Sequence, residues 1–103
     1  MLNTQHLMTF KALVETGSFT KTAMLLGLTQ PAVSQHIQKL ERCLGEPLLV
    51  RRGRTTDITP AGGVLLQHIK ELELCYDDFM ASWQHYLAVK SSDVVAVEVI
   101  KNG

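Results

Sequence analysis

Gly27-Leu28-Thr29-Gln30-Pro31-Ala32-Val33-Ser34-Gln35-His36-Ile37 holds a helix stop, a turn and a helix start in close succession. Gly27 follows a short apolar-patterned segment, where glycine commonly ends a helix. Thr29 offers a hydroxyl to the free N–H groups of a new first turn. Pro31 sits inside that turn, where its missing N–H costs nothing. Val33, Ile37, Leu40 and Leu44 then fall at i, i+4, i+7 and i+11, so they form the apolar face of a helix that closes at Gly45. The opposite face carries Gln30, Ser34, Gln35, Gln38 and Lys39. It is polar, nearly uncharged and free of carboxylates.

Two shorter helices precede this one. Leu7, Phe10, Leu13 and Val14 mark one helical face over Thr4–Thr16, stopped by Gly17. Ser18 or Thr20 caps the next helix, whose apolar residues are Phe19, Ala23, Leu25 and Leu26. A helix of about two turns is stable only when packed on its neighbours. Met8, Met24 and Met80 read as core filler.

On the other side, Pro47–Arg52 and Thr55–Thr59 flank Gly53-Arg54 and read as a hairpin with a basic tip. Thr59-Pro60 repeats the cap-plus-proline signal and opens a long helix to about Val89. Its stripe is Leu65, Ile69, Leu72, Tyr76, Phe79, Trp83 and Tyr86, with 4-3 spacing throughout, a heptad seam. Thirty residues of helix span about 45 Å, too long a rod for its seam to be buried on a small domain. Residues 90–103 form a tail in which Val94–Ile100 reads as a short strand.

At 103 residues the chain has room for one core. Apolar residues make up 46% and charged residues 19%, which argues against a disordered chain. No apolar run approaches the roughly 18 residues of a membrane span. Met1–Phe10 lacks the basic-then-apolar order of a signal peptide, so a cytoplasmic location without membrane partners is expected. Cys43 and Cys75 are too few and too far apart for a disulfide framework or a zinc site. His68 and Cys75 share a helical face but have no further ligand at hand. The sequence has no Ser-His-Asp logic, Gly-rich phosphate loop or paired carboxylates. Neither an enzyme, a metal nor a cofactor is expected.

The net charge of zero hides an asymmetry. Residues 1–60 carry seven Lys/Arg against four acids, and residues 61–103 carry three against six. One half suits a polyanion and the other does not.

Three short helices followed by a hairpin outline a winged helix-turn-helix, with Gly27-Leu28-Thr29 as the turn. The expected fold is mainly α, with three helices, a two-stranded wing and a long linker helix. In that arrangement the third helix enters the major groove of DNA. Gln30 and Gln35 suit adenine, Ser34 suits several bases, and Pro31 and Ala32 suit a thymine methyl. Thr29 with its first-turn N–H groups suits a phosphate. Arg51, Arg52 and Arg54 suit phosphates or a narrow minor groove. A glutamine-rich face alone, or an arginine cluster alone, is more often ordinary solvated surface. Here the two coincide with the cap and the short turn.

Gly17-Ser18-Phe19-Thr20 with Ala23, Leu26 and Gly27 resembles the second-helix signature of LysR-type transcriptional regulators. Thr29–Ile37, Leu40-Glu41, Leu44-Gly45, Pro47-Leu48-Leu49 and Arg51 resemble that family's recognition helix and wing strand. Arg54 and Thr59-Pro60-Ala61-Gly62 resemble its wing tip and linker-helix start. The likeness spans about residues 2–88. It implies a bacterial regulator with a DNA-binding domain at 1–59 and a dimerising linker helix at 60–89. Carried over by position, Gln30, Pro31, Ser34, Gln35 and His36 fall on the recognition surface, with Lys39 beside them, and Arg54 on the minor-groove wing residue. The chain departs from the family at Gln35, often arginine, at Leu49, often phenylalanine, and at Val50, often polar or acidic. The family also continues into an effector-binding domain, to which a small-molecule inducer belongs, whereas this chain stops at Gly103. The expected partners are double-stranded DNA and a second copy, with a tetramer for a full-length regulator. The competing reading is a protein-interaction module that dimerises through the heptad helix without binding DNA.

Overall fold

The computed structural model describes residues 2–92. Among them the chain forms α1 (Thr4–Thr16), α2 (Phe19–Leu26), α3 (Gln30–Leu44), β1 (Leu49–Arg52), β2 (Thr55–Ile58) and α4 (Pro60–Ser92), the winged helix-turn-helix order expected. The strand expected over Val94–Ile100 lies outside the described residues.

The helix starts follow from side-chain caps. Asn3 accepts the Gln5 and His6 N–H groups at 2.8 and 3.2 Å. Ser18, rather than Thr20, caps α2 by accepting the Lys21 N–H at 3.1 Å. Thr29 caps α3 through the Ala32 N–H at 3.2 Å. Gly17, Gly27 and Gly45 close α1, α2 and α3.

The core of the first compact unit, which runs to Lys70, is Leu7, Phe10, Leu13, Ala23, Val33, Ile37, Leu40, Leu48 and Ile69. Each fully buried side chain of this kind contributes about 1.5–3 kcal/mol. Buried hydroxyls are satisfied. Thr22 donates to the Ser18 carbonyl at 2.8 Å and meets the Thr16 hydroxyl at 2.7 Å, tying α1 to the start of α2.

Several expectations are corrected. Ile69 is 0% exposed and belongs to the core, not to an open seam. Leu65 is half-buried against the same core. The start of α4 is therefore part of the folded unit, which extends past residue 59. Met24 is 78% exposed, and Leu25 and Leu26 are exposed too. They sit at the end of a helix so short that only Thr22 and Ala23 are buried. Leu44 is 43% exposed, because the helix ends there and the chain turns away at Gly45.

β1 and β2 pair antiparallel from Leu49↔Ile58 to Arg52↔Thr55. The two-residue connection, Gly53-Arg54, has Gly53 at φ 62. A positive φ at the first turn position is what the II′ hairpin requires, and glycine supplies it.

The wing is anchored at its base. The Glu41 carboxylate accepts the Leu48 N–H at 2.7 Å, and the Thr59 hydroxyl donates to the Pro47 carbonyl at 2.7 Å. The Thr59 N–H donates to the Leu48 carbonyl at 3.0 Å. Gly62 in α4 lies so close to that strand entry that a Cβ there would run into the Leu48 carbonyl oxygen.

Beyond Lys70, α4 carries Leu72, Tyr76, Phe79 and Trp83 exposed, with Tyr86 half-buried. Phe79 and Trp83 stack at 6.0 Å between centroids, and Trp83 and Tyr86 meet at 5.1 Å.

Candidate nucleic-acid interface

The exposed face of α3 follows from its register. With about 100° per residue, the buried Val33, Ile37 and Leu40 leave Pro31 and Gln35 facing away from the core. Both are exposed, as is Lys39. Gln30 and Ser34 lie on the flank toward α2 and the wing. The Gln30 amide donates to the Thr20 hydroxyl at 2.7 Å. Ser34 is half-buried and, with Phe19, Gln38, Arg51 and Thr56, lines a recess of about 200 Å³ between α3 and the hairpin.

His36 stands apart from these residues. It lies about 200° round the helix from Ser34 and turns to α1. Its Nδ1 is 2.8 Å from the Thr9 hydroxyl, and its ring centroid is 4.5 Å from that of His6. The expected place of His36 on the recognition surface is thus corrected: its ring is engaged inside the protein. Burial, then the nearby charges of His36 and Lys39, hold the His6 pKa below its ordinary value of 6.5.

The three arginines of the hairpin are not equivalent. The Arg51 guanidinium lies over the Phe19 ring at 4.8 Å, a cation–π contact that holds it beside the start of α2. Arg52 pairs with Asp57 at 3.7 Å. This exposed pair contributes little to stability, yet it offsets the charge of one arginine. Arg54 is exposed in the tight turn. Positive charge is therefore concentrated at Arg51, within β1, and at Arg54, in the turn.

Sequence reading missed three contributors. They are Thr20 as acceptor for the Gln30 amide, Phe19 under the Arg51 guanidinium and Glu41 at the wing base. Their contacts cross from one element to another, which periodicity within one element does not report. Among the described residues no group of three or more His, Cys, Asp or Glu is placed to hold a metal, and no helix is long and apolar enough to cross a membrane.

A polar, carboxylate-free helix face set beside a basic two-stranded wing defines the winged helix-turn-helix class. Residues 4–63 match the bacterial regulatory helix-turn-helix proteins of the lysR family. The chain is 44% identical over 68 residues to the HTH-type transcriptional activator CmpR of Synechocystis, covering 66% of this chain and 22% of that protein. It is 37% identical over 91 residues to the HTH-type transcriptional regulator CysL of Bacillus subtilis, covering 87% of this chain and 30% of that one. Among solved structures, a BenM DNA-binding domain in complex with catB site 1 DNA superposes with a TM-score of 0.70 at 42% identity. That match covers 82% of this chain and 93% of the BenM chain. The full-length LysR-type regulator LysG of Corynebacterium glutamicum gives a TM-score of 0.79 at 30% identity, over 85% of this chain and 30% of its own. The chain belongs to the LysR family. It spans less than a third of the length of the curated relatives it matches.

Proposed function

We propose that this chain is the sequence-specific, double-stranded-DNA-binding part of a LysR-type transcriptional regulator and that it acts as a homodimer. The observation that carries the reading is the juxtaposition of the acid-free face of α3 with the arginine-bearing hairpin. A relative of the same fold at 42% identity, crystallised on DNA, supports it. In this reading Thr29 and the first-turn N–H groups hold a phosphate. Gln30, Pro31, Ser34 and Gln35 read base edges in the major groove, and Lys39 and Arg51 hold backbone phosphates. Arg54 enters the minor groove, where a narrow A/T-rich tract has the most negative potential. Residues 1–59 carry the DNA contacts and 60–89 the dimer contacts, formed by Leu72, Tyr76, Phe79, Trp83 and Tyr86. The setting is cytoplasmic. A tetramer, and an inducer bound elsewhere, belong to the whole regulator.

The test is selection of duplexes from a random pool, followed by affinity titration against salt. The selected duplex should bind far more tightly than an arbitrary one. The log–log salt slope should be steep, with about −0.9 for each neutralised phosphate. Binding without sequence preference, or no binding to duplex at all, would favour a protein-interaction module.

A further inference from the structure

Gln30 is the first residue of α3, and a glutamine side chain in that position ordinarily samples many rotamers in solvent. Here it is held. Its Nε2 donates to the Thr20 Oγ1 at 2.7 Å, a short bond for an N–H donor. Thr20 lies in the first turn of α2, whose start is fixed by the Ser18 cap. Behind it Thr22 is locked to Ser18 and Thr16. The preceding residue, Phe19, carries the Arg51 guanidinium on its ring. The acceptor for Gln30 thus stands on a rigid element, and both partners are exposed to whatever approaches α3.

From this pair, and resting on the DNA-binding reading above, we propose that Thr20 is a specificity-determining positioning residue: its hydroxyl orients the Gln30 amide for adenine. The chemistry is specific. A carboxamide nitrogen has two protons. With the proton trans to the carbonyl given to Thr20, the carbonyl oxygen and the remaining N–H share the opposite edge. That edge is the one that accepts from adenine N6 and donates to N7. In the amide rotated by 180° the Thr20 hydroxyl would have to donate its proton to the Gln30 carbonyl oxygen; once a phosphate oxygen takes that proton, only the orientation with the Gln30 N–H toward Thr20 keeps its bond, so Thr20 selects one of two orientations. The hydroxyl, acting as acceptor, keeps its own proton and can donate to a phosphate oxygen at the same time. Pre-set orientation also spares the side-chain entropy that would otherwise be lost on binding.

The test uses the full chain and a duplex selected by the wild-type protein. Each base pair in turn is changed, with an arbitrary duplex as reference. Thr20→Val keeps the branched shape and removes the hydroxyl, and Thr20→Ser restores it. Gln30→Ala identifies the base pair that Gln30 reads. At that pair Thr20→Val should lower discrimination about three- to ten-fold, a part of the value of a full bidentate contact. Other positions should be unmoved, and Thr20→Ser should recover most of the loss. The Gln30→Ala and Thr20→Val effects at that pair should be non-additive, since one acts through the other. An equal loss on the selected and arbitrary duplexes would make Thr20 a phosphate contact only and overturn the inference, as would unchanged discrimination. A wild-type chain without any sequence preference would overturn the functional reading and this inference together.

Discussion

Ile69 and Leu72 stand one turn apart on α4, on the same 4-3 stripe, yet Ile69 is 0% exposed and Leu72 is 57% exposed. Up to Lys70 the stripe is covered by the chain's own core, with Leu48, Phe10 and Leu40 among its members. From Glu71 onward the compact unit is the helix end itself, and Leu72, Tyr76, Phe79 and Trp83 remain exposed. One periodic pattern therefore serves two ends. It closes a folded domain at one end and leaves an exposed apolar face at the other. Heptad spacing states that a face will be covered and leaves open by what.

The sharpest way to break this contrast is to charge each part of the stripe. Phe79→Asp with Trp83→Asp should turn a dimer into a monomer at tens of micromolar in sedimentation equilibrium. Each large side chain is worth ~1.5–3 kcal/mol when fully buried, so four of them across a two-fold interface dominate its stability. Helical content and unfolding of the first unit should stay near wild type. A wild-type chain that is already monomeric would count against the second half of the stripe as an interface.

Truncating the covered half should act on folding instead. Ile69→Ala should cost about 2–5 kcal/mol in denaturant unfolding, as for other fully buried aliphatic residues. Leu72→Ala, one turn on, should change the intrinsic stability of the monomer by no more than about 0.5 kcal/mol. Equal costs would erase the boundary at Lys70.

The two adjacent glycines of α4 give a finer version of the same comparison. Gly62 packs directly on the Leu48 carbonyl, whereas a Cβ on Gly63 would meet only the Ile58 Cδ1 at 3.9 Å. Gly62→Ala should destabilise by about 1–3 kcal/mol, because backbone rather than a flexible side chain must move. Gly63→Ala should be neutral or stabilising by up to about 1 kcal/mol through helix propensity. Similar melting shifts for both variants would contradict the close approach of α4 to the wing base.

What was legible in the sequence was local. Caps at Thr29 and Thr59, glycine stops at Gly17, Gly27 and Gly45, and the Gly53-Arg54 turn depend on neighbours a few residues away. Each appears where the residue types require it. What was not legible depends on contacts between elements. Leu44 and Met24 have apolar side chains in helical register, yet they stay 43% and 78% exposed. His36 lies by register on the flank of Val33 and Leu40 rather than beside Gln35, but its partners Thr9 and His6 depend on the position of α1. The polar face of α3 could be read from register alone. The unequal roles of Arg51, Arg52 and Arg54 depend on Phe19 and Asp57, which the hairpin register and the α2–wing contact bring near.

The smallest expected effect tests the α1–α3 side of the first unit, where His6 lies against His36. Burial first, then the charges of His36 and Lys39, favours the neutral form of His6 and holds its pKa below 6.5. In the unfolded chain the same imidazole takes up its proton near its ordinary value. As pH falls through 6.5 the unfolded state therefore binds a proton that the folded state still refuses, and stability declines with it. The decline should begin near pH 6.5 and level off once pH drops below the lowered folded value. His6→Asn removes the titrating group and keeps a polar side chain of similar reach. It should flatten this part of the unfolding profile measured between pH 7.5 and pH 5, while the aromatic stripe beyond Lys70, with no part in the pair, should leave the slope unchanged when mutated. An identical acid slope in wild type and His6→Asn would mean that the two rings, although 4.5 Å apart, do not couple protonation to folding.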